Sequence, residues 1–367
     1  MKAGIIGLPG VGKTTIFTAL THGKSPATEF GGARREANIG TIAVPDGRFE
    51  ELIRVYSPKK SSPATIEITD GAAPIGVETH KEKFGSDFFT GIRSVEMLVH
   101  VIRAFESPSV PAPENGLDPL RDLRKVNDEL MLADLQLVET RLERIEKGLH
   151  GKKTSAVSPQ TMERDLMLKI QGQLEAERPL KELEFSIDEI RQIRSFDFLT
   201  LKPMIIVANI SEDHTTESDE RLLGGLREYC KQENLELIEL VASVEAEVSQ
   251  LPAEEEKEYL EAMGISEPAR NRVVQSAYRA LGLISFFTAG EDEVKAWTIE
   301  KGDKAVDAAG KIHSDLARGF IRAEIVSYED FQKAGSFEAA KSGGLMRLEG
   351  KDYIMHDGDI MVVRFKV

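Results

Sequence analysis

The sequence predicts an α/β fold, in which a parallel, Rossmann-like sheet carries a helical insertion and is followed by a small α+β domain. Short apolar runs alternate with helical patterns over 1–119 and again over 196–282, as in a parallel sheet covered by helices. Between these stretches, 120–195 is rich in leucine and charged residues at coiled-coil spacing. Over 283–367, short strand-like runs surround one helical pattern. We therefore predict a split sheet domain, a helical insertion and a C-terminal domain with these boundaries.

The composition is that of an ordinary soluble protein, because 41% of its 367 residues are hydrophobic and 30% are charged. No apolar run approaches the ~20 residues that a membrane span needs, and the N-terminus lacks a signal-peptide pattern. We therefore expect a cytoplasmic monomer that does not enter membranes. The single cysteine, Cys230, excludes an intramolecular disulfide and a cysteine-based zinc site. The net charge of −15 argues against broad nucleic-acid binding but leaves a local basic patch open.

The most specific motif lies at the N-terminus, between a strand-like run over 3–6 and a helical pattern. It has the form G-x-x-x-x-G-K-T and is written out as Gly7-Leu8-Pro9-Gly10-Val11-Gly12-Lys13-Thr14-Thr15. In such a phosphate-binding loop (P-loop), backbone N–H groups and the positive end of the helix cradle an anion. Lys13 can reach the β- and γ-phosphates, and the Thr14 hydroxyl can ligate Mg²⁺. We predict a nucleoside phosphate held by residues 10–15, with Lys13 as the catalytic residue.

A second strand-like run, 64–70, ends in an acidic residue at the Walker-B position. Asp70 there is predicted to hold Mg²⁺, usually through water. The usual continuation D-x-x-G would place glycine at position 73, but this chain has Ala73. Pro74 follows at the place where many GTPases carry a water-orienting glutamine. Slow or impaired hydrolysis is therefore expected.

Other polar residues near this region admit two interpretations each. Arg34 and Arg35 occupy the place of the first switch. They either stabilise phosphate charge or belong to a solvated loop, and the second interpretation is favoured. His100 lies inside an apolar run, which favours a hydrogen-bonded core histidine over a catalytic base.

A polar motif that would face the base follows the near-continuous apolar run 204–209. In GTPases the corresponding strand ends in N-K-x-D, whose aspartate accepts two hydrogen bonds from guanine. Here Ile210 replaces the lysine, and Glu212, one methylene longer, replaces the aspartate, while Asn209 is kept. Loss of this paired recognition weakens discrimination for guanine, although the neighbouring Asp213 could compensate in part. Ser243 lies in the last predicted nucleotide-binding loop.

The insertion is predicted to be an antiparallel helical hairpin. Apolar residues recur at alternating three- and four-residue steps in its first helix, namely Leu135, Val138, Leu142, Ile145 and Leu149. A returning helix is lined by Leu166, Ile170 and Leu174. Lys152 and Lys153 would form a basic tip between the two helices. The hairpin is either a packed insert or a probe whose tip touches a large partner, and the pattern does not decide between them.

The C-terminal domain is predicted to contain two hairpins and a helix. The first hairpin spans 286–299, the helix spans 308–320, and the second hairpin spans 352–365. Trp297 is interpreted as a core residue rather than a base-stacking platform, and His313 as structural or exposed. The domain holds no cluster of residues that demands catalysis.

Several long strings along the chain resemble one protein family from end to end. They are 7–15, 198–203 (Phe-Leu-Thr-Leu-Lys-Pro), 208–212, 287–290, 294–299 (Val-Lys-Ala-Trp-Thr-Ile), 309–315 (Ala-Gly-Lys-Ile-His-Ser-Asp) and 350–353. On these strings the chain resembles the YchF family of Obg-related P-loop NTPases. The resemblance implies a P-loop NTPase domain, a coiled-coil insertion and a C-terminal TGS domain. It also implies a preference for ATP over GTP and an association with ribosomes and stress responses.

The resemblance carries roles to matching positions and leaves two mismatches. Residues 10–15 would hold the phosphates, Thr14 the Mg²⁺, and Asn209, Ile210 and Glu212 the base, with Ser243 nearby. The first switch of the family contains F-C-T-I-E-P-N, whereas 32–38 here is G-A-R-R-E-A-N. The second reads D-I-A-G-L, whereas 70–74 here is D-G-A-A-P. This resemblance indicates a divergent paralogue with nucleotide binding retained and Mg²⁺-dependent turnover reduced.

The leading functional prediction is binding and slow hydrolysis of ATP, or of GTP, with Mg²⁺, by a nucleotide-responsive factor that associates with a ribosome or ribosomal subunit. Two alternatives stay open at this point. The first is a nucleotide-binding module that scaffolds a protein or RNA partner without a switch cycle. The second is an RNA-binding factor that works through the TGS domain and the coiled-coil tip.

Overall fold

The structure, a computed structural model, describes residues 1–21, 38–70, 86–108, 110–111, 113, 116–150, 158–212, 216–262, 265 and 267–366. The chain forms two compact units. The first comprises Met1–Gly40 and Glu67–Ala269, and the second comprises Thr41–Ile66 and Arg270–Val367. The helical insertion belongs to the first unit, and the early segment 41–66 belongs to the second. The division into three domains stays a prediction. It assigns 41–66 to the sheet domain, whereas these residues group with the C-terminal residues in the second unit.

The described strands are β1 (Lys2–Ile6), β2 (Asn38–Ala43), β3 (Lys60–Ser62), β4 (Thr65–Asp70), β5 (Met97–Ala104), β6 (Met204–Ile210), β7 (Glu236–Leu240), β8 (Leu283–Ala289), β9 (Glu293–Glu300), β10 (Phe320–Val326), β11 (Arg347–Glu349) and β12 (Ile360–Phe365). The described helices are α1 (Lys13–Thr21), α2 (Gly47–Tyr56), α3 (Ser86–Arg93), α4 (Pro119–Leu149), α5 (Pro159–Glu175), α6 (Ile187–Ile193), α7 (Thr216–Gln232), α8 (Ala242–Val248), α9 (Ala253–Ala262), α10 (Ala269–Ala280), α11 (Ala305–Ile312), α12 (Ser314–Arg318), α13 (Tyr328–Ala334) and α14 (Phe337–Ser342). Short 3₁₀ turns occupy Leu180–Glu182, Arg194–Phe196 and Leu199–Leu201. Within these described helices, none is both long and apolar enough to cross a membrane.

The first sheet has the strand order β2-β4-β1-β5-β6-β7. β1 runs parallel to β4 and β5, and β5, β6 and β7 are also parallel to one another. All eight residues of β5 are buried, as expected for a parallel strand covered on both faces. The predicted α/β fold is confirmed. Because parallel strands end at one edge of a sheet, the carboxyl ends of β1, β4 and β6 lie together there.

The helical insertion is a hairpin of α4 and α5. α4 begins after Asp118, whose side chain accepts a hydrogen bond from the Arg121 N–H, and Pro119 fills the first turn. α5 begins after Ser158, which forms a capping box with Thr161. The apolar residues of both predicted stripes share one core cluster, which confirms the hairpin. Its predicted basic tip, Lys152 and Lys153, lies outside the described residues.

The second unit is built on a sheet with the order β11-β10-β12-β8-β9-β3. β8 and β9 form the predicted antiparallel hairpin. The early strand β3 joins the same sheet parallel to β9, from Lys60↔Glu293 to Ser62↔Lys295. In α2, Arg48 donates to Asp46 and to Asp357, with its Nη1 2.8 Å from Asp357 Oδ2. These contacts explain why 41–66 folds with the C-terminal residues.

The helix predicted over 308–320 is wrong in its bounds. α11 ends at Ile312, and His313 has extended backbone angles, φ −163° and ψ 141°. The His313 Nδ1 accepts a hydrogen bond from the Asp315 N–H, so this residue caps the short helix α12. The chain then enters a strand at Phe320, because the apolar residues after it pair with the end of the chain.

The hairpin predicted over 352–365 is also wrong. Only Ile360–Phe365 forms a strand there, and β12 pairs antiparallel with β10 and parallel with β8. The residues before it form a compact turn around the buried Asp359 carboxylate, which accepts from Tyr353 Oη at 3.0 Å and from the His356 N–H at 2.9 Å. These local hydrogen bonds replace the strand pairing that the alternating pattern predicted.

Candidate functional site

The P-loop joins β1 to α1, and its glycines are required by geometry. Gly7, Gly10 and Gly12 all have positive φ angles, of 143°, 75° and 96°. A Cβ on Gly12 would lie 2.5 Å from Asn209 Nδ2, and one on Gly7 would collide with the Val101 carbonyl oxygen. A residue with a side chain would therefore be strained at either position and would push neighbouring elements apart.

Lys13, the first residue of α1, points its ammonium back into the loop. Its Nζ donates to the carbonyl oxygens of Gly7 at 2.9 Å and Leu8 at 2.8 Å. The side chain is only 8% exposed, and this burial lowers the pKa of Lys13 to about 8, while the nearby Asp70 carboxylate opposes the shift. The loop thus holds a cation in a partly desolvated position, where its attraction for an anion is strengthened.

The two predicted metal ligands lie together. Thr14 Oγ1 donates to Asp70 Oδ2 at 3.1 Å, which joins the start of α1 to the end of β4. Burial raises the pKa of the Asp70 carboxyl, and hydrogen bonds from Thr14 and Asn38, with the charge of Lys13, oppose that rise. A hydroxyl and a carboxylate at one point form a set of hard oxygen donors suited to Mg²⁺. The residues present therefore fit this ion.

Asn209 connects two backbone segments at the edge of the sheet. Its Nδ2 donates to the Val11 carbonyl oxygen at 3.1 Å, and its Oδ1 accepts from the Ala242 N–H at 3.0 Å. The side chain is 6% exposed. Asn209 therefore fixes the P-loop relative to the start of α8.

Glu212 and Ser243 meet at the far side of the same region. Ser243 Oγ donates to Glu212 Oε1 at 3.0 Å. The Ile210 side chain, in the place of a lysine, offers no hydrogen bond to either of them. This side of the site therefore carries a hydrogen-bonded carboxylate and hydroxyl beside the apolar Ile210 and the hydroxyl residue Ser211.

A segment that the sequence pattern did not single out also borders the site. Arg103, 5% exposed at the end of β5, donates from Nε to the Phe105 carbonyl oxygen at 3.0 Å and from Nη1 to that of Pro111 at 2.9 Å. Its guanidinium also lies over the Phe105 ring, 4.8 Å from the centroid. In the sequence, a single arginine inside an apolar run is the signal that could have indicated this segment. Its hydrogen bonds hold the residues after β5 against the P-loop edge.

These segments enclose a cavity of about 670 Å³, called the P-loop cavity below. It lies within the first unit and is lined by Pro9, Gly10, Gly12, Lys13, Thr14, Thr15, Phe105, Glu106, Ser107, Val110, Asn209, Ile210, Ser211, Glu212, Ala242 and Ser243. Two predicted site residues do not line it. Val11 is buried and contributes its carbonyl oxygen to Asn209, and Asp70 lies behind Thr14. The volume lies in the range of small-molecule sites.

His100 lies beneath the loop, in β5, and is 1% exposed. Burial, with the charge of Lys13, lowers the pKa of His100 to about 3, so the imidazole is neutral at ordinary pH. The core interpretation predicted burial, but His100 Nδ1 has no hydrogen-bond partner among the residues that the structure describes. This residue cannot act as a base on a ligand in the cavity because it is shielded from it.

Five residues of the predicted switches and base motif lie outside the described residues. They are Arg34, Arg35, Ala73, Pro74 and Asp213. The roles expected for them stay predictions, as does the assignment of the lining residues to phosphate, metal and base. Chemically, the arrangement offers an anion cradle and a buried cation at one end of the cavity, with the hard-donor pair of Thr14 and Asp70 beside them. An aromatic residue and two carboxylates lie elsewhere on its wall.

Two family models match parts of the chain. The model described as 50S ribosome-binding GTPase (MMR_HSR1) matches residues 2–141. The model YchF-GTPase_C, described as a protein of unknown function (DUF933), matches residues 283–366. Together the matches cover the P-loop, the Walker-B strand and the C-terminal sheet.

Relatives of the chain match it over its full length. It is 39% identical over 368 residues to the ribosome-binding ATPase YchF of Bacillus subtilis (strain 168), with 100% of both chains covered. It is 39% identical over 366 residues to the ribosome-binding ATPase YchF of Escherichia coli O157:H7, covering 100% of this chain and 99% of the relative. It is 34% identical to human Obg-like ATPase 1 over 369 residues, covering 100% and 92%. Among solved structures, the Schizosaccharomyces pombe YchF GTPase superposes with a TM-score of 0.84 at 31% identity, covering 99% of this chain and 97% of that one.

Proposed function

The chain belongs to the YchF family of P-loop NTPases, and from that premise we propose that it binds ATP with Mg²⁺, hydrolyses it slowly and acts as a nucleotide-responsive, ribosome-associated factor. The observation that carries the proposal is that Lys13 and Thr14 line one end of the P-loop cavity, while Asp70 is hydrogen-bonded to Thr14 just outside the lining. A cation, a hydroxyl and a carboxylate grouped at a helix N-terminus suit a Mg²⁺-bound triphosphate.

Lys13 and the loop backbone would hold the β- and γ-phosphates. In the structure the Lys13 ammonium donates to two neutral carbonyl oxygens. When it donates instead to a charged phosphate oxygen, the hydrogen bond is stronger. The N–H groups at the start of α1 point along the helix axis toward the same position. Lys13 would thereby also stabilise negative charge that develops on the phosphates during hydrolysis.

Thr14 and Asp70 would hold Mg²⁺, Thr14 directly and Asp70 through water. When bound, the ion would supply positive charge that offsets the negative charge of the phosphates. Burial favours the neutral form of Asp70, and the hydrogen bond from Thr14 favours the carboxylate. Two oxygen donors from the protein are enough to bind Mg²⁺, because this ion usually takes its other ligands from phosphates and water.

The base end of the cavity supports ATP over GTP. A guanine site needs an acceptor pair for the base N1–H and N2–H₂, which the aspartate of N-K-x-D supplies, whereas Glu212 is one methylene longer and is held by a hydrogen bond from Ser243. Ile210 offers an apolar contact, and the Phe105 ring on the cavity wall offers a surface on which either base could stack. GTP would bind the same phosphate cradle with weaker recognition of its base.

Hydrolysis would be slow because the positions that normally orient the attacking water are altered. Water attacks the γ-phosphorus, the bond from phosphorus to the β,γ-bridging oxygen breaks, and ADP leaves with that electron pair while phosphate takes the proton. Ala73 and Pro74 stand in place of the glycine and glutamine that many GTPases use for this step. The same two residues favour a second candidate, a nucleotide-binding scaffold without a switch cycle.

The proposed partner is a ribosome or ribosomal subunit in the cytoplasm. Support comes from the bacterial relatives called ribosome-binding ATPases, which match this chain throughout. Contact with RNA through the C-terminal TGS domain, contact through the tip at Lys152 and Lys153, and a monomeric state are further parts of this proposal.

A turnover assay on the purified protein separates the candidates. We expect phosphate release from ATP that requires Mg²⁺ and is lost in Lys13→Ala, because that variant removes the charge in the cradle. A matched control is Lys366→Ala near the C-terminus, which should leave the rate unchanged. Tight ATP binding without release would favour the scaffold. Release that survives Lys13→Ala would come from a contaminant and would overturn the proposed site.

A further inference from the structure

A second concave region lies away from the P-loop, within the helical insertion. Its volume is about 910 Å³, and it shares no lining residue with the P-loop cavity. It is lined by Phe89, Arg93, Ala133, Gln136, Leu137, Thr140, Arg141, Arg144, Pro159, Met162, Glu163, Met167, Gln192, Ser195 and Phe196. We call it the insertion groove. Its walls come from α3, α4, α5, the end of α6 and the 3₁₀ turn after it.

One face of α4 forms the longest wall of the insertion groove. Its lining residues recur at steps of three and one, which places them on a single stripe of the helix, namely Ala133, Gln136, Leu137, Thr140, Arg141 and Arg144. The stripe that packs on α5 is a different one and contains Val138, Leu142 and Ile145. The groove stripe of α4 therefore lies beside its α5 stripe, and the two adjoin at Leu137, which also packs against the α4–α5 core.

Two of the arginines in the groove are already paired. Arg93 Nη1 donates to Asp134 Oδ1 at 2.8 Å, and Asp134 is fully buried, so this pair serves the fold. Arg141 makes two hydrogen bonds with Glu163, at 2.7 and 3.0 Å, and lies 5.9 Å from the Phe196 ring centroid. These contacts hold both guanidiniums rigidly at the wall.

Arg144 differs from both of them. Its side chain is exposed, and it has no hydrogen-bond or ion-pair partner among the residues that the structure describes. It follows Arg141 by one turn, so the two guanidiniums lie along one line of the helix. The groove lining carries three arginines and one carboxylate. Because Arg93 pairs with Asp134 and Arg141 pairs with Glu163, Arg144 is the guanidinium of the lining whose charge no described partner compensates. In a protein whose net charge is −15, this guanidinium would attract an anionic group of a ligand.

The remaining wall is apolar and adaptable. Met162, 52% exposed, and the buried Met167 come from α5, while Phe89 and Phe196 face them from α3 and the 3₁₀ turn. Methionine side chains repack easily around a ligand, and aromatic residues give rigid contact area. An exposed methionine beside aromatic residues and a free arginine is typical of a surface that binds a helix.

We propose that the insertion groove docks an acidic amphipathic helix of a protein partner. The apolar face of that helix would lie on Leu137, Met162 and Phe196, above the buried Met167, and a carboxylate one turn along would pair with Arg144. RNA is the less suited class, because it needs a row of free cations, whereas this groove has one unpaired guanidinium above an apolar wall. This docking goes beyond the proposed ATPase function and does not depend on nucleotide.

The test uses the full-length protein labelled with ¹³C at its methionine methyl groups. The probes are a set of 14-residue helical peptides with leucines on one face and glutamates at successive positions beside it. Charge-reversed lysine versions and a 20-nucleotide RNA complete the set. Met162→Leu and Met167→Leu assign the two signals. We expect the acidic peptides alone to shift both signals, with and without ATP.

The decisive comparison is between two charge reversals in the same insertion. Arg144→Glu should weaken binding of the acidic peptides at least tenfold, whereas Arg178→Glu, an exposed arginine outside the groove, should leave it unchanged. Both sites are exposed, so both variants should keep the wild-type methyl spectrum and remain folded. Absence of a shift with every acidic peptide, equal binding of lysine peptides or of RNA, or indifference to Arg144→Glu would each overturn the proposal.

Discussion

The two ends of the P-loop cavity are built in different ways. At the proposed phosphate end, one continuous segment supplies the glycines, Lys13 and Thr14, and these two side chains are hydrogen-bonded within that segment and to Asp70. At the base end, Phe105, Glu212 and Ser243 come from three separate segments. The phosphate end is therefore a local motif, and the base end is a tertiary assembly. Substitutions at the phosphate end should therefore abolish nucleotide binding, and substitutions at the base end should change the relative affinity for ATP and GTP.

The largest effect is expected for Lys13→Ala. Removing the ammonium leaves the phosphates without their charged donor, and a hydrogen bond to a charged group contributes about 1.5–3 kcal/mol. We expect ATP affinity to fall about 100-fold, which calorimetry would measure. A loss below about threefold would mean that this lysine does not contact phosphate. The unfolding transition of the variant should match that of the wild type.

Asn209→Ala should affect both ends of the cavity, because the Asn209 side chain forms hydrogen bonds both with the P-loop and with the start of α8. The change leaves the Val11 carbonyl and the Ala242 N–H unpaired in a buried place, at a cost of about 1–3 kcal/mol each. We expect ATP affinity to drop about 30-fold and urea unfolding to shift to lower concentration. Asn209→Asp, which keeps the acceptor but not the donor, should recover part of this loss. Wild-type affinity in Asn209→Ala would contradict its positioning role.

The phosphate end should also make binding depend on pH. Because burial lowers the pKa of Lys13 to about 8, the free protein loses this charge above that pH. Bound phosphate favours the protonated form and raises the pKa, so binding takes up a proton and weakens about tenfold per pH unit above about 8. Titrations between pH 7 and 9.5 measure the slope. Lys13→Arg, which stays charged, should show no such decline, and a flat wild-type profile would rule out a role for this titration.

The smallest effect is expected at the base end. Glu212→Asp shortens the carboxylate by one methylene and breaks its hydrogen bond with Ser243, which frees an acceptor for guanine. We expect the ratio of GTP to ATP affinity to rise about threefold, in the range of a single adjusted hydrogen bond. Competition titrations give the ratio, with Ser243→Ala as a control for the lost bond. An unchanged ratio in both variants would place the base elsewhere.

The same contrast explains how far the sequence predicted the structure. The P-loop, the aspartate at the end of β4 and the motif at Asn209 were predictable, because each is a short local pattern with a defined chemistry. The Arg103 contacts were not, because they join a strand to a proline-rich segment through tertiary packing. The insertion hairpin was predictable from the spacing of its apolar residues. The position of Arg144 in the groove depends on the tertiary packing of several helices and was not predictable from a local pattern.

The C-terminal errors have a similar origin. Alternating apolar residues over 352–365 suggested a hairpin, but the buried carboxylate of Asp359 organises the first half into a turn. The segment 41–66 precedes the Walker-B strand in sequence and yet adds β3 to the C-terminal sheet. Long-range pairing of this kind leaves no local pattern, so propensity could not predict it.

In the proposed function, this cavity binds ATP through Mg²⁺, and its base end favours adenine. Calorimetric titration of nucleotide-free protein with ATP and GTP, each with and without Mg²⁺, tests both parts at once. We predict tighter binding of ATP than of GTP, and an affinity for ATP that rises when Mg²⁺ is added. Equal affinities for ATP and GTP that do not change when Mg²⁺ is added would contradict the proposed roles of Thr14, Asp70 and the base end. If neither nucleotide binds, the proposal that this cavity binds a nucleotide is wrong.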